Sequence, residues 1–302
     1  MTETFIQAVR RAAGSAQVLL DEPMEKHTTF RIGGPADLFV RPEHTEQIIQ
    51  ILELCREAEV PCFVLGNGSN LLVSDAGYRG VIIQLDQNYQ ECRREADFFS
   101  VKAGLLLTKL ALMAKEASLA GLEFASGIPG TVGGAVTMNA GAYGGEIKQY
   151  LVSARVLTED LEVHDIDAAE LDLQYRHSRI MEENWIVLGA VFRLYPGEEE
   201  KIGTRIAELR EARQSKQPLE YPSAGSTFKR PEGYFAGKLI MDAGLSGFSV
   251  GDAQVSEKHC GFVINRGHAT AEQVAALIDT VRETMQRTYG VLLEPEVRYL
   301  GF

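Results

Sequence analysis

The sequence predicts an α+β chain of two or three lobes, and three observations carry that prediction. The length, 302 residues, exceeds what one typical hydrophobic core accommodates. Short apolar runs with strand character mix with stretches of helical periodicity through the first two-thirds. A charged helical stretch at 198–218, ending on Pro218, then leads into a last part with its own strands and helices.

The elements follow in order. MTETFIQAVRRAAG reads as a short amphipathic helix, and HTEQIIQILELCREA (44–58) as a second, with apolar side chains at helical spacing. PCFVL ending at Gly66, GVIIQL (80–85) and FFSVKA (98–103) read as strands. LTKLALMAKEASL (107–119) is a helix with Gly121 placed as its stop, and strands follow at 150–157 and 185–195. In the last part AGSTFKRP is a strand and YFAGKLIMDAG a helix closed by Gly244. GFVINRG is a strand, and 270–290 a long helix capped by Thr270 and stopped by Gly290. EPEVRYLG is one more strand, with Glu294, Glu296 and Arg298 on one face and Pro295 at an edge or strand start.

Composition excludes several classes. Apolar residues at 45% and charged residues at 24% are near globular averages, which excludes disorder as the main state. No apolar run has membrane-spanning length, and the N-terminal helix lacks the long apolar core of a signal peptide. The four cysteines form no CxxC pair, so neither a disulfide scaffold nor a zinc ribbon is expected, and a reducing cytoplasm suits them. Six histidines form no HxH or HxxxH pair, so no metal site is expected. A net charge of −12, from 42 acids and 30 bases, disfavours a nucleic-acid binder. Any phosphate must be met by local backbone amides and a few placed cations.

Glycine marks where those amides are. GNGSN (66–70) lies between two strand-like runs and reads either as a β-turn or as a nest of N–H groups suited to a pyrophosphate. It is no Rossmann fingerprint, because the third glycine would fall at Leu71 and no helix follows; nor is it a P-loop. GIPGTVGGAVTMNAGAYGG (127–145) is almost uncharged. A tightly packed crossing is one reading; the favoured one is a surface of small residues lying against a large planar ligand, with main-chain N–H groups left to bond its edges.

Candidate chemistry sits in three further segments. YRHSR (175–179) is either a solvated basic strand end or a carboxylate or phosphate site built on guanidinium groups. RQSKQPLEYPSAGSTFKRP (213–231) gathers Arg213, Lys216, Lys229 and Arg230 around Ser226, which alone reads as a plain strand serine and is in no G-x-S-x-G elbow. Glu294 and Glu296 read by default as an exposed edge, with one glutamate able to point into a cleft.

Taken in order, TTFRIGGPADLFV, LGNGSNLLVSD, ASGIPGTVGGAVTMNAGAYGGE, YRHSR, KQP…PSAGSTFKRP, AGKLIMDAGL and LEPEVRYLG resemble the UDP-N-acetylenolpyruvoylglucosamine reductases of bacterial wall synthesis. The resemblance spans about the whole chain. It implies an FAD-binding domain of the vanillyl-alcohol-oxidase type in two lobes, 1–80 and 81–200, and an α+β substrate-binding domain at 201–293. A strand at 294–302 would return to the first lobe. It implies non-covalent FAD, NADPH as reductant, a UDP-sugar substrate and a cytoplasmic enzyme with neither nucleic acid nor membrane as partner. The strand ending at Tyr195 runs directly into a helix, so the chain resembles the shorter branch, which lacks a tyrosine-bearing insert.

The resemblance also assigns residues. Ser226 matches the serine that protonates the substrate, and Arg176 and Glu296 match the partners of the enolpyruvyl carboxylate. Flavin contacts fall on Gly66, Asn67, Gly68, Ser69, Asn70 and Leu71, and on Ser126, Gly127, Ile128, Pro129, Gly130, Thr131, Gly133, Gly134, Ala135, Asn139, Ala140 and Gly141. Tyr175, Arg213, Lys216 and Gly225 are expected at the substrate, where Arg213 and Lys216 could meet the diphosphate of UDP-sugar or NADPH. Another FAD enzyme on the same scaffold, oxidising an alcohol or hydroxy acid, is the alternative enzyme reading. A nucleotide-binding module without turnover is the non-enzyme one.

Overall fold

The computed structural model describes residues 1–14 and 18–302. The chain forms two compact units. The first comprises Met1–Leu20, Leu38–Asn67 and Gly80–Arg213; the second comprises Asp21–Asp37, Gly68–Arg79 and Gln214–Phe302. Among the described residues no helix is long and apolar enough to cross a membrane.

In the first unit, helix Glu3–Ala13 is capped by Thr2, whose hydroxyl accepts from the Phe5 N–H. It buries Phe5, Val9 and Ala13 and packs on helix Thr45–Glu57, which buries Ile48, Ile51 and Cys55. A four-stranded sheet has the order Val18–Pro23, Pro35–Val40, Tyr78–Gln84, Cys62–Leu65. Its last pair is parallel, with Cys62 opposite Val81 and Leu65 opposite Gln84. Val81, Ile82 and Ile83 are wholly buried, the unbroken apolar run of a strand covered on both faces. A five-stranded antiparallel sheet has the order Val163–Asp167, Leu151–Leu157, Ile186–Arg193, Phe98–Lys102, Cys92–Glu95. Helix Val132–Thr137, inside the glycine-rich segment, packs on its central strand.

The helix expected at 107–119 is shorter, Leu107–Glu116, and Gly121 is not its stop. Ser118 takes the left-handed turn (φ +55°), and Leu119–Ala120 pairs with Tyr195–Pro196. Gly121 instead lies against an aromatic ring: a Cβ there would sit 2.5 Å from Tyr150.

In the second unit, helix Ala271–Tyr289 buries Ala271, Val274, Leu277, Ile278, Val281 and Met285 along one stripe. Thr270 and Gln273 form its capping box, and Gly290 ends it in the left-handed conformation, as its sequence implies. The stripe packs on the antiparallel strands Ser249–Val250 and Ala253–Val255, the latter paired with Val263–Asn265. Helix Ala236–Asp242 is followed by Gly244 at φ +74°. Strand Arg298–Leu300 runs parallel to Leu71–Val73.

Two strand expectations are corrected. AGSTFKRP is no strand: it carries a single bridge, Phe228 to Pro295, and a second, Ser223 to Ile264, precedes it. EPEVRYLG is regular only over Arg298–Leu300, so its two glutamates precede the strand rather than sharing a face of it. Pro295 sits in its bridge at a position that needs no N–H, with the Lys229 N–H donating to the Glu294 carbonyl and the Glu296 N–H to the Thr227 carbonyl on either side.

Asp75, of the LLVSD stretch, accepts from the N–H groups of Ala271 at 2.9 Å and Glu272 at 3.1 Å, closing the first turn of the long helix. Asp75→Ala should lower stability by about 1–2 kcal/mol, seen as a lower urea midpoint at unchanged slope. An unchanged midpoint would show that these two bonds contribute nothing.

Candidate active site

In the first unit the two glycine segments touch. Gly66, at the end of strand Cys62–Leu65, presses its open face on Thr131: a Cβ there would lie 2.4 Å from the Thr131 Oγ1. Asn67 Nδ2 donates to the Pro129 carbonyl at 2.6 Å, and Gln84 Nε2 donates to the Gly66 carbonyl at 3.0 Å. Residues some sixty positions apart in sequence thus form one surface.

The amides along it are divided. The N–H groups of Ile128, Val132 and Gly133 donate to Ala125, Leu105 and Ala103, which is the packed crossing rather than the ligand surface. Those of Asn67, Gly130 and Thr131 have no acceptor among the described residues. Ala135 and Ala140 are buried in the core, and Ser126 Oγ donates to the Glu123 carbonyl. Gly134 is exposed. Gly127 lies under Arg213, whose Cδ and Nη1 would be 2.7 Å from a Cβ at that position. Burial holds the Arg213 guanidinium below its usual range, with Tyr143 acting the other way; it stays a cation. Lys216 ends its helix with an exposed side chain.

Asn139 is spent internally. It is 1% exposed, its Nδ2 donates to Glu146 Oε2 at 2.8 Å and the Gln174 carbonyl at 2.9 Å, and its Oδ1 accepts from the Lys148 N–H at 3.0 Å. Its amide therefore holds the YRHSR turn rather than being aimed outward. That segment is a tight turn closed by Gln174 and His177, not a strand end. Arg176 occupies its left-handed corner (φ +55°), stacks on Tyr175 and donates from Nη2 to the Gly141 carbonyl at 3.1 Å. A non-glycine residue in this conformation is held there by its surroundings.

In the second unit, Gly68 at φ +59° presses on the His27 carbonyl, which a Cβ would approach to 2.0 Å. The N–H groups of Gly68, Ser69 and Asn70 have no acceptor among the described residues. Leu71 is buried, so only its backbone can serve a ligand. Asn70 Nδ2 donates to the Glu296 carbonyl at 3.0 Å, and the Arg298 N–H donates to the Asn70 carbonyl at 3.0 Å.

The same loop region organises Ser226. Gly225 turns at φ +75°, and Ser226 is exposed between buried Ala224 and Thr227. Thr227 is wholly buried and fully engaged. Its N–H donates to the Gly261 carbonyl at 2.8 Å, its Oγ1 accepts from the Val263 N–H at 2.9 Å, and its carbonyl accepts from the Glu296 N–H at 2.8 Å. Thr227 therefore couples Ser226 to Glu296. No residue pattern around Ser226 in the sequence marks Thr227 for this part.

Residues 36–167 match the family described as FAD binding domain, and residues 217–300 match the UDP-N-acetylenolpyruvoylglucosamine reductase C-terminal domain. A UDP-N-acetylenolpyruvoylglucosamine reductase of Agathobacter rectalis is 54% identical over 100% of this chain and 99% of its own. The chain belongs to the UDP-N-acetylenolpyruvoylglucosamine reductase family. The crystal structure of the reductase from Thermus caldophilus aligns with TM-score 0.80 and 37% identity over 94% of this chain and 98% of that one. An alkyldihydroxyacetonephosphate synthase, 16% identical, shares the fold over 65% of this chain and 41% of its own at TM-score 0.50. The reductase family thus joins an FAD-binding domain of the vanillyl-alcohol-oxidase type to a C-terminal domain of its own.

The residues present fit FAD. A diphosphate calls for unsatisfied amides and a cation, and in the first unit Asn67, Gly130, Thr131 and Arg213 offer them. Gly66→Ala should force the Thr131 contact apart and lower flavin absorbance per protein in the purified enzyme. Full flavin content in that variant would show that the close approach is not what shapes the cradle.

Proposed function

We propose that the chain reduces the enolpyruvyl group of UDP-N-acetylglucosamine enolpyruvate to UDP-N-acetylmuramate in peptidoglycan synthesis, as a cytoplasmic FAD enzyme using NADPH. The observation that carries this reading is kinship along the whole chain, which joins the flavin-binding half to the reductase C-terminal domain. Residues 1–80 and 81–200 are assigned to the flavin and 201–293 to the substrate. The partners are the UDP-sugar and NADPH, with no role for nucleic acid or membrane.

The amides of GNGSN and of the IPGT stretch would hold the flavin, which would supply to C3 of the enol ether the hydride taken from NADPH. An enol ether is electron-rich, so attack there requires negative charge to flow into the neighbouring carboxylate. Arg176, fixed in its turn, binds that carboxylate and stabilises the charge. Ser226 donates a proton to C2. The carbon base formed there is strong, so a hydroxyl of ordinary acidity suffices when placed within hydrogen-bond reach. Glu296, in protonated form, donates a hydrogen bond to the developing carboxylate charge. Arg213 and Lys216 meet a diphosphate, and Tyr175 and Gly225 border the substrate.

Anaerobic addition of NADPH should bleach the yellow protein, and the enolpyruvyl UDP-sugar should restore its colour. Restoration by oxygen alone, with the UDP-sugar inert, would overturn the reading. Ser226→Ala should keep NADPH reduction and slow substrate-driven reoxidation by roughly three to six orders of magnitude; equal loss in both half-reactions would count against a proton donor. Lys216→Ala should raise KM for both NADPH and the UDP-sugar by about tenfold, the loss of one charge-assisted contact. No change in either KM would remove Lys216 from the diphosphate site.

A further inference from the structure

The HTTFRIGG segment carries two adjacent threonines that do different things. Thr28 closes a local turn, its Oγ1 donating to the Ile32 carbonyl at 2.9 Å and accepting from the Ile32 N–H at 3.2 Å. Thr29, half-buried, divides its polar groups between two distant loops of the second unit. Its N–H donates to the Gly68 carbonyl of GNGSN at 3.2 Å, and its Oγ1 donates to the Ser223 carbonyl at 2.6 Å. The support behind it is firm. Phe30 is wholly buried, and its carbonyl accepts from Asn265 Nδ2 at 3.1 Å, while Asn265 Oδ1 accepts from the N–H groups of Gly267 and Ala269.

Ser223 begins the short arm that carries Ser226. The far end of that arm is pinned at Thr227 by three hydrogen bonds. Between them lie only Ala224, the turn at Gly225 and the exposed serine. We propose that Thr29 is a positioning residue: its hydroxyl fixes the near end of the serine arm in register with the glycine loop. The inference rests on the reading of Ser226 as proton donor. Proton transfer requires hydrogen-bond reach, and a displacement of about 1 Å can cost roughly a hundredfold in rate.

The test compares Thr29→Val, which keeps shape and the N–H bond to Gly68 but loses the hydroxyl, with Thr29→Ser, which restores it. Thr29→Ala, made alongside, removes the same donor without a β-branch. Each is assayed as FAD-bound enzyme in anaerobic stopped-flow, with Ser226→Ala in parallel. Thr29→Val and Thr29→Ala should keep flavin content and the rate of reduction by NADPH, and slow reoxidation by the enolpyruvyl substrate about tenfold to a hundredfold. Thr29→Ser should recover most of that rate. Normal reoxidation in both hydroxyl-less variants while Ser226→Ala is arrested overturns the inference alone. Equal slowing of both half-reactions, or failure of Thr29→Ser to recover, also overturns it, since a merely structural role predicts those results. Normal reoxidation in Ser226→Ala overturns the serine's role and the inference with it.

Discussion

The contact of Gly66 with Thr131 is the constraint on which the flavin-binding half depends. It lets the end of strand Cys62–Leu65 and the cap of helix Val132–Thr137 meet with only the Thr131 side chain between them. Thr131 serves twice, accepting the cap bond from the Gly134 N–H and abutting Gly66. Asn67 then reaches the Pro129 carbonyl and fixes the register. The result is a small patch of unsatisfied amides with Arg213 lying over Gly127 beside it. In a protein of net charge −12 such local arrangement is what makes an anion site possible, because the overall field repels phosphate.

The second unit shows a comparable economy around Ser226. Thr227 uses its N–H, carbonyl and hydroxyl on three partners, so the residues beside it have little freedom. One neighbour is Ser226, presented to solvent; the carbonyl partner is the backbone of Glu296. Asn70 holds that same residue from the other side, through the Glu296 carbonyl. Residues of a glycine loop, a serine loop and the C-terminal segment are thereby fastened together.

The sequence was legible where the signal is local. The long helix at 270–290, with Thr270 as its cap and Gly290 as its stop, is found as its local residues imply. The glycine clusters also fell where backbone makes close approaches, Gly66 on Thr131 and Gly68 on the His27 carbonyl. What could not be read were pairings made across the chain. Asn139 looked available to a ligand, yet its side-chain bonds run to Glu146, Gln174 and Lys148. Asp75, which nothing local singles out, caps a helix nearly two hundred residues away. Gly121 had the right position for a helix stop, but a ring at Tyr150 claims it. The strand expected through Glu294 and Glu296 reduces to one bridge at Pro295, with the Lys229 and Glu296 N–H groups bonding to the Glu294 and Thr227 carbonyls on either side of it. Residues 21–37 and 68–79 join the C-terminal part through pairings such as Leu71–Val73 with Arg298–Leu300, which no periodicity announces.

The central claim is that backbone amides of the two glycine loops hold the diphosphate of a dinucleotide flavin without a covalent tether. Binding of FAD and of riboflavin to the flavin-stripped protein, measured by calorimetry, tests it most directly. The account predicts that FAD binds, that denaturation releases it intact, and that riboflavin, which lacks the diphosphate, binds far more weakly. Equal affinity for the two, or flavin that stays attached after denaturation, would contradict it.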